Sequence, residues 1–271
     1  MLPKVILLVK KLDFFLFSFL LIYGLVHVSC TSPDKRVITV ACASNLQFVM
    51  PVLINEYLKL NPNVTIEVSF GSSGKLTSQI REGAPFNIFL AANTEYPEKL
   101  FRDGFARSSP NVYACGKLIL FKQKGRLDIN NFKEELSSPK NLVAMPNPDL
   151  APYGKAAVQF LDNFDIKISD KRIVSADNIS SSVHYSLTCA DLGFISCSAM
   201  YSEELKKYKN STSYIILPEH SYDPIRQGLV ILDYGIFQEE IDSFITFLFS
   251  EFGQNIFISY GYARVETYAV H

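Results

Sequence analysis

Val37-Ile38-Thr39-Val40-Ala41, then Phe48, Val49, Val52, Leu53, Tyr57 and Leu60, then Val64-Thr65-Ile66-Glu67-Val68-Ser69-Phe70: this stretch reads as strand, helix, strand. The first and last pieces are β-branched runs, and the middle piece, from Leu46 to Leu60, has helical spacing. Pro62-Asn63 breaks the helix. Gly71-Ser72-Ser73-Gly74 then opens a second helix through Ile80, and Asn87-Ile88-Phe89-Leu90-Ala91-Ala92 is a third strand. The order βαβαβ predicts an α/β lobe built on a parallel sheet with helices on its faces.

Further along, the same plan returns. Leu118–Phe121 and Leu142–Met145 read as strands, Gly154–Asn163 as a helix and Asp191–Ser196 as a strand. Tyr214–Pro218 and Gly228–Leu232 are two more strands, and an amphipathic helix from Gln238 to Tyr260 stops at Gly261. A second lobe of similar type follows, with lobe I expected over 34–114 and 201–271 and lobe II over 115–200.

The first 29 residues have Lys4, Lys10 and Lys11, an apolar run from Phe14 to Val26, and small residues before Cys30. That is the pattern of a cleaved signal peptide, 1–29, the run being shorter than the roughly 20 residues that span a bilayer. Cys30 offers a second reading, a lipid anchor, although His27 stands where such signals have a leucine-like residue. Removing Met1–Ser29 takes three lysines and one aspartate from 26 basic and 27 acidic residues, which leaves a formal charge of −3. No basic field for nucleic acid is present. Cys30, Cys42, Cys115, Cys189 and Cys197 include no C-x-x-C pair, so thiolate metal sites are not expected. Disulfides among the last four are open, with a separate buried thiol expected for Cys42.

Ligands of open α/β sheets sit where strands run into helix N-termini. Four such loops stand out. Ser44 and Asn45 follow the first strand. Phe70-Gly71-Ser72-Ser73-Gly74-Lys75-Leu76 sets two hydroxyls between glycines. It is not a phosphate-binding P-loop, which has four residues between its glycines and a hydroxyl after its lysine. Lys75 reads as a solvated helix residue. Pro152-Tyr153-Gly154 turns into the third helix, and Ser175–Ser180 into the fourth, with the backbone N–H of Ile179 as a donor. Asp149 and Asp177 read as capping or turn residues. Neutral hydroxyls, amides and helix ends from two lobes describe a clamp for a fully deprotonated oxyanion.

In the order and spacing of its motifs the chain resembles the molybdate-binding proteins of ABC importers, from Ile38 to Tyr262. The resemblance rests on Ile38–Asn45, Phe70–Leu76, Gln79-Ile80 with Gly83–Phe86, Asn147-Pro148 with Ala151–Gly154, Asp191–Ile195, Pro224–Gln227 and Tyr260-Gly261-Tyr262. It implies a type II periplasmic-binding fold: α/β, two lobes, each a mainly parallel sheet flanked by helices, joined by two crossover segments. It also implies Ser44, Asn45, Ser73 with Ser72, Tyr153 and the Ile179 amide as the ligand set. One branch of the family has a tyrosine where this chain has Ser196, so a direct role for Ser196 stays open.

The expected function is capture of molybdate or tungstate in the interlobe cleft and delivery to a membrane ABC permease. The expected protein is a periplasmic monomer that uses no cofactor. Sulfate and phosphate binding is the nearest alternative. An enzyme on the same scaffold would need a nucleophile and base in the cleft, and neither His184 nor His220 stands in such a motif.

Overall fold

Both sheets are covered on both faces, and the sequence says why. In the computed structural model, which describes residues 36–209, 211–234 and 238–264, the strands are near-continuous apolar runs whose alternate side chains enter different cores. The expected signal peptide and Cys30 lie outside the described residues.

The first sheet has the order β2-β1-β3-β10-β4, with β1 Arg36–Ala43, β2 Val64–Gly71, β3 Ile88–Leu90, β4 Asn111–Gly116 and β10 Ile225–Ile231. Ile38, Val40 and Cys42 of β1 pack under helices α1 (Met50–Leu60), α7 (Gln238–Phe249) and α8 (Glu251–Ser259). Ala41, Phe89 and Val230 face the opposite way, onto Leu76 and Ile80 of α2 (Ser73–Arg81) and Leu100 of α3 (Glu95–Arg102).

The second sheet has the order β7-β6-β8-β5-β9: β5 Leu118–Lys122, β6 Val143–Pro146, β7 Ile173–Ala176, β8 Leu192–Ser196 and β9 Tyr214–Ile216. Leu118 and Leu120 join Phe160 of α5 (Pro152–Asn163) and Leu136 of α4 (Phe132–Ser137), whereas Ile119, Phe121 and Ile195 join Val183 of α6 (Ile179–Thr188).

In each sheet four strands run one way and one runs against them, β10 in the first and β5 in the second. The mainly parallel α/β plan therefore holds in both. The chain leaves the first sheet between Gly116 and Leu118. Its return comes later than the expected boundary at 201, because β9 pairs with β5 and Leu217 is buried in the second core. The crossing back lies between Leu217 and Ile225.

Two helices differ from the expected ones. The helix read from Leu46 begins as a 3-10 turn, Ser44–Phe48, and becomes α-helical only at Met50. Pro51 has no N–H to give to residue 47, so it stands in the first turn of a new helix instead. The helix read from Gln238 to Tyr260 is two, α7 and α8. At the break, Ser250 Oγ accepts from the Gly253 N–H (3.1 Å), and a Cβ on Gly253 would stand 2.2 Å from the Phe247 carbonyl oxygen. Cys42, Cys115, Cys189 and Cys197 are all free thiols, with Cys42 buried.

Candidate functional site

Loops from the two sheets meet across the cleft. Gly74 donates its N–H to the Leu150 carbonyl (3.0 Å), Tyr96 its hydroxyl proton to the Asp149 carbonyl (3.1 Å) and Ser180 its own to the Ser44 carbonyl (2.8 Å). Ser198 Oγ donates to the Asn45 carbonyl (2.9 Å). Glycine at 74 is what lets the third loop approach, since a Cβ there would stand 2.9 Å from the Tyr96 hydroxyl and 3.2 Å from Leu150.

The six expected site residues are all buried at this junction, none more than 4% exposed. Ser44 and Asn45 stand on the 3-10 turn after β1, where neither side chain caps a helix. Ser72 caps α2, its Oγ accepting from the Lys75 N–H (3.4 Å). Ser73 Oγ accepts from the Ala92 N–H (3.0 Å). Tyr153 is the second residue of α5, behind Pro152, and its hydroxyl accepts from Gln227 Nε2 (3.2 Å). Ile179 is the first residue of α6, where a backbone N–H has no acceptor within the helix. Asn178, rather than Asp177, caps that helix, its Oδ1 accepting from the Ser181 N–H (2.9 Å).

Counting protons shows what this arrangement can hold. Each hydroxyl has one proton to give. Ser72, Ser73 and Tyr153 all use the oxygen to accept and, among the described residues, leave the proton unspent, and Ser44 Oγ makes no hydrogen bond. Four buried hydroxyls with protons to spare form a surplus of neutral donors. Burial holds the Tyr153 hydroxyl well above the usual tyrosine range, with the neighbouring Tyr262 adding to the effect, so the proton stays in place at neutral pH. Lys75, expected to be solvated, is half exposed and pairs with Asp177 across the cleft (2.6 Å); Lys155 pairs with Glu95 (2.7 Å).

Behind the donors lies a polar cluster. Asn45 Nδ2 donates to Gln227 Oε1 (2.9 Å) and to the Tyr262 hydroxyl (3.0 Å), and Tyr113 donates to the Ala91 carbonyl or to Gln227 Oε1. Ser196 Oγ touches Ser198 Oγ (2.9 Å), so it reaches Asn45 only through Ser198. Among the described residues Asn45 Oδ1 is the one fully buried side-chain polar atom without a partner. Gln227, Tyr113, Tyr262 and Ser198 were not among the expected site residues. Gln227 lies just before the strand read from the sequence, Gly228–Leu232, and enters β10 only in the structure.

The family of bacterial extracellular solute-binding proteins matches residues 38–263. The molybdate-binding protein ModA of Azotobacter vinelandii is 32% identical over 87% of this chain and 92% of its own. A putative ABC transporter substrate-binding lipoprotein of Bacillus subtilis, YvgL, is 26% identical over 93% and 98%. Among solved structures, the periplasmic molybdate-binding protein of Azotobacter vinelandii superposes with a TM-score of 0.77 at 29% identity, covering 84% of this chain and all of the other. The sulfate-binding protein SubI of Mycobacterium tuberculosis shares the fold, with a TM-score of 0.67 at 11% identity over 86% and 88%.

Proposed function

The chain belongs to the bacterial extracellular solute-binding protein family, whose members serve ABC transporters and are not enzymes, and on that premise we propose that it captures molybdate or tungstate. The anion enters as the intact dianion, is held in the cleft between the lobes and is handed to a membrane permease. The observation that carries this reading is the surplus of unspent protons on Ser44, Ser72, Ser73 and Tyr153. A tetrahedral dianion at neutral pH is an acceptor on every oxygen, so it matches a site that only gives.

The N–H groups of Ser73 and Ile179 complete the donors, as helix ends that favour negative charge, and Asn45, whose Nδ2 protons go to Gln227 and Tyr262, joins the proposed set as the floor residue against which the anion rests. Donors come from both lobes, so only the closed form surrounds the anion, and binding stabilises closure by that difference. A periplasmic location after cleavage of a signal peptide at Ser29 and a tungstate affinity like that for molybdate belong to the same proposal, with a lipid anchor at Cys30 as the alternative to a soluble form.

A second reading has its own observation. Asn45 Oδ1 is a buried acceptor without a partner, which suits the hydroxyl of a protonated phosphate. Competition calorimetry with molybdate, tungstate, sulfate and phosphate separates the two. The proposed reading expects molybdate and tungstate to displace the others by at least about 1.4 kcal/mol, tenfold in Kd. Phosphate binding as tight as molybdate would overturn it.

A further inference from the structure

Gln227 is wholly buried on β10, at the residue where the pairing of β10 with β4 changes register. Gly116, at the end of β4, has no room for a side chain: a Cβ there would stand 2.1 Å from the Tyr153 hydroxyl and 2.7 Å from Gln227 Nε2. The glutamine amide is thus seated between the two strands by which the chain leaves and re-enters the first lobe. Three groups meet it: Asn45 Nδ2 (2.9 Å) from the first lobe, Tyr113 (2.9 Å) from β4, and the Tyr153 hydroxyl (3.2 Å) from the second lobe.

Tyr113 has one proton and two acceptors for it, Gln227 Oε1 and the Ala91 carbonyl at 3.0 Å. Asn45 Nδ2 spends both protons, on Gln227 and Tyr262, which strands Oδ1. The nitrogen and oxygen of a carboxamide have nearly the same shape, so the two amides can turn over together if Tyr262 turns its proton from the Asn45 carbonyl (2.9 Å) to Asn45 Oδ1, the carbonyl keeping the proton of Ser198. Gln227 then donates to Tyr113 and to Asn45 Oδ1, and Tyr113 gives its proton undivided to Ala91. The Asn45 atom left without a partner becomes Nδ2, a donor, while Tyr153 gives its proton to Gln227 Oε1. One orientation leaves the ligand the proton of Tyr153 and the other the protons of Asn45.

We propose that Gln227 is the positioning residue of the cleft, whose single amide fixes Asn45 and Tyr153 together and sets which lobe gives its proton to the bound anion. This rests on the oxyanion reading above, and the two can fail separately.

The experiment is calorimetry with molybdate on the full mature protein, as wild type, Gln227→Leu and Gln227→Glu, between about pH 8 and about pH 6, where the dianion persists and a buried carboxyl can titrate. Leucine removes donor and acceptor together, and Kd is expected to rise about 10- to 100-fold equally across the range. Ionised glutamate accepts only, so it draws protons from both Asn45 and Tyr153 and sets a negative charge beside the anion. Its Kd is expected to rise at least about 100-fold at the upper pH and to recover at least about tenfold at the lower, as the carboxyl gains a proton it can donate.

Wild type stays flat, because burial keeps Tyr113, Tyr153, Tyr222, Tyr262, Cys42 and Cys197 protonated throughout. A residue that only filled space would lower Tm in both variants without this pH dependence. Wild type that binds none of the four oxyanions sinks the oxyanion reading. Wild type that binds, with both variants within about threefold of it or with Gln227→Glu flat in pH, overturns the role of Gln227. If either variant fails to fold, Tyr153→Phe takes its place, keeping the buried ring and removing the hydroxyl that Gln227 meets; unchanged affinity there overturns the role equally.

Discussion

The floor and the mouth of the cleft both join the two lobes, by different physics. At the mouth, Lys75 meets Asp177 and Lys155 meets Glu95 with side chains 50–68% exposed. At the floor, Asn45, Gln227, Tyr113, Tyr153 and Tyr262 are at most 4% exposed and linked by neutral hydrogen bonds. Exposed pairs are screened and contribute little, whereas a buried polar group is costly to leave unpaired. On the proposed reading, affinity belongs to the floor and approach of the ligand to the mouth. Its severest test is Ser73→Ala with Asn45→Ala. Loss of the Ser73 hydrogen bond to a charged ligand, about 1.5–3 kcal/mol, together with the Asn45 amide that holds Gln227 and Tyr262, is expected to raise the Kd for molybdate by about one to three orders of magnitude. Unchanged calorimetric affinity of that double variant would refute the floor as the binding surface.

Gly116→Ala attacks the floor without removing a proposed ligand. The added methyl has no space beside Tyr153 and Gln227, so one of them must shift. Overpacking of this kind destabilises by about 1–3 kcal/mol, and here a matching share should appear as weaker binding. Thermal unfolding with and without molybdate separates the two effects, since a purely structural cost would leave the ligand-induced rise in Tm intact. An unaltered Kd would show that Tyr153 is not held in place for the anion.

The strand-to-helix loops are legible in the sequence and the floor is not, for a physical reason. Strands such as Val37–Ala41 and helices such as Met50–Leu60 announce themselves by local period, and strand-to-helix junctions follow from them. Ser72, Ser73 and Tyr153, with unspent protons, stand at those junctions. Pro51 marks the change from 3-10 turn to α-helix, and its effect is legible once the missing N–H is considered. Gln227 is different. It meets Asn45 across 182 residues and Tyr113 across 114, and Tyr262 reaches Asn45 across 217, so no window of sequence contains the cluster. Reading β10 from Gly228 also left out Arg226 and Gln227, because polar residues look like a loop until both neighbouring strands are known.

Titration distinguishes floor from mouth more gently. Burial raises the hydroxyls of Tyr113 and Tyr153 well above the ordinary tyrosine value and that of Tyr262 likewise, so the folded state favours the protonated ring over the unfolded chain. The sign follows: this contribution is fully present below the unfolded value of about 10 and is lost as pH rises beyond it toward the higher folded values. Chemical denaturation should show stability that is independent of these groups up to about pH 9 and falls above about pH 10. Tyr113→Phe is expected to blunt that fall. An equally steep alkaline loss in the variant would show that Tyr113 is not its cause.

The mouth should give the smallest effect, and its form matters more than its size. Each lysine faces a carboxylate across the cleft, so the entrance is close to neutral while both pairs stand. Lys75→Ala leaves Asp177 uncompensated on the path of a dianion, whereas Lys75→Ala with Asp177→Ala restores the balance. The single variant is therefore expected to slow molybdate association by a few fold at low salt, with the defect shrinking as the Debye length falls from about 30 Å at 0.01 M to about 8 Å at 0.15 M. The double variant should associate at nearly the wild-type rate and differ by less than about threefold in Kd, since an exposed pair contributes about 0–1 kcal/mol. Stopped-flow association across ionic strengths reads both. If the double variant were instead the weaker binder, at every salt concentration, the pair would be holding the closed lobes together, and the division between a floor that binds and a mouth that admits would fail.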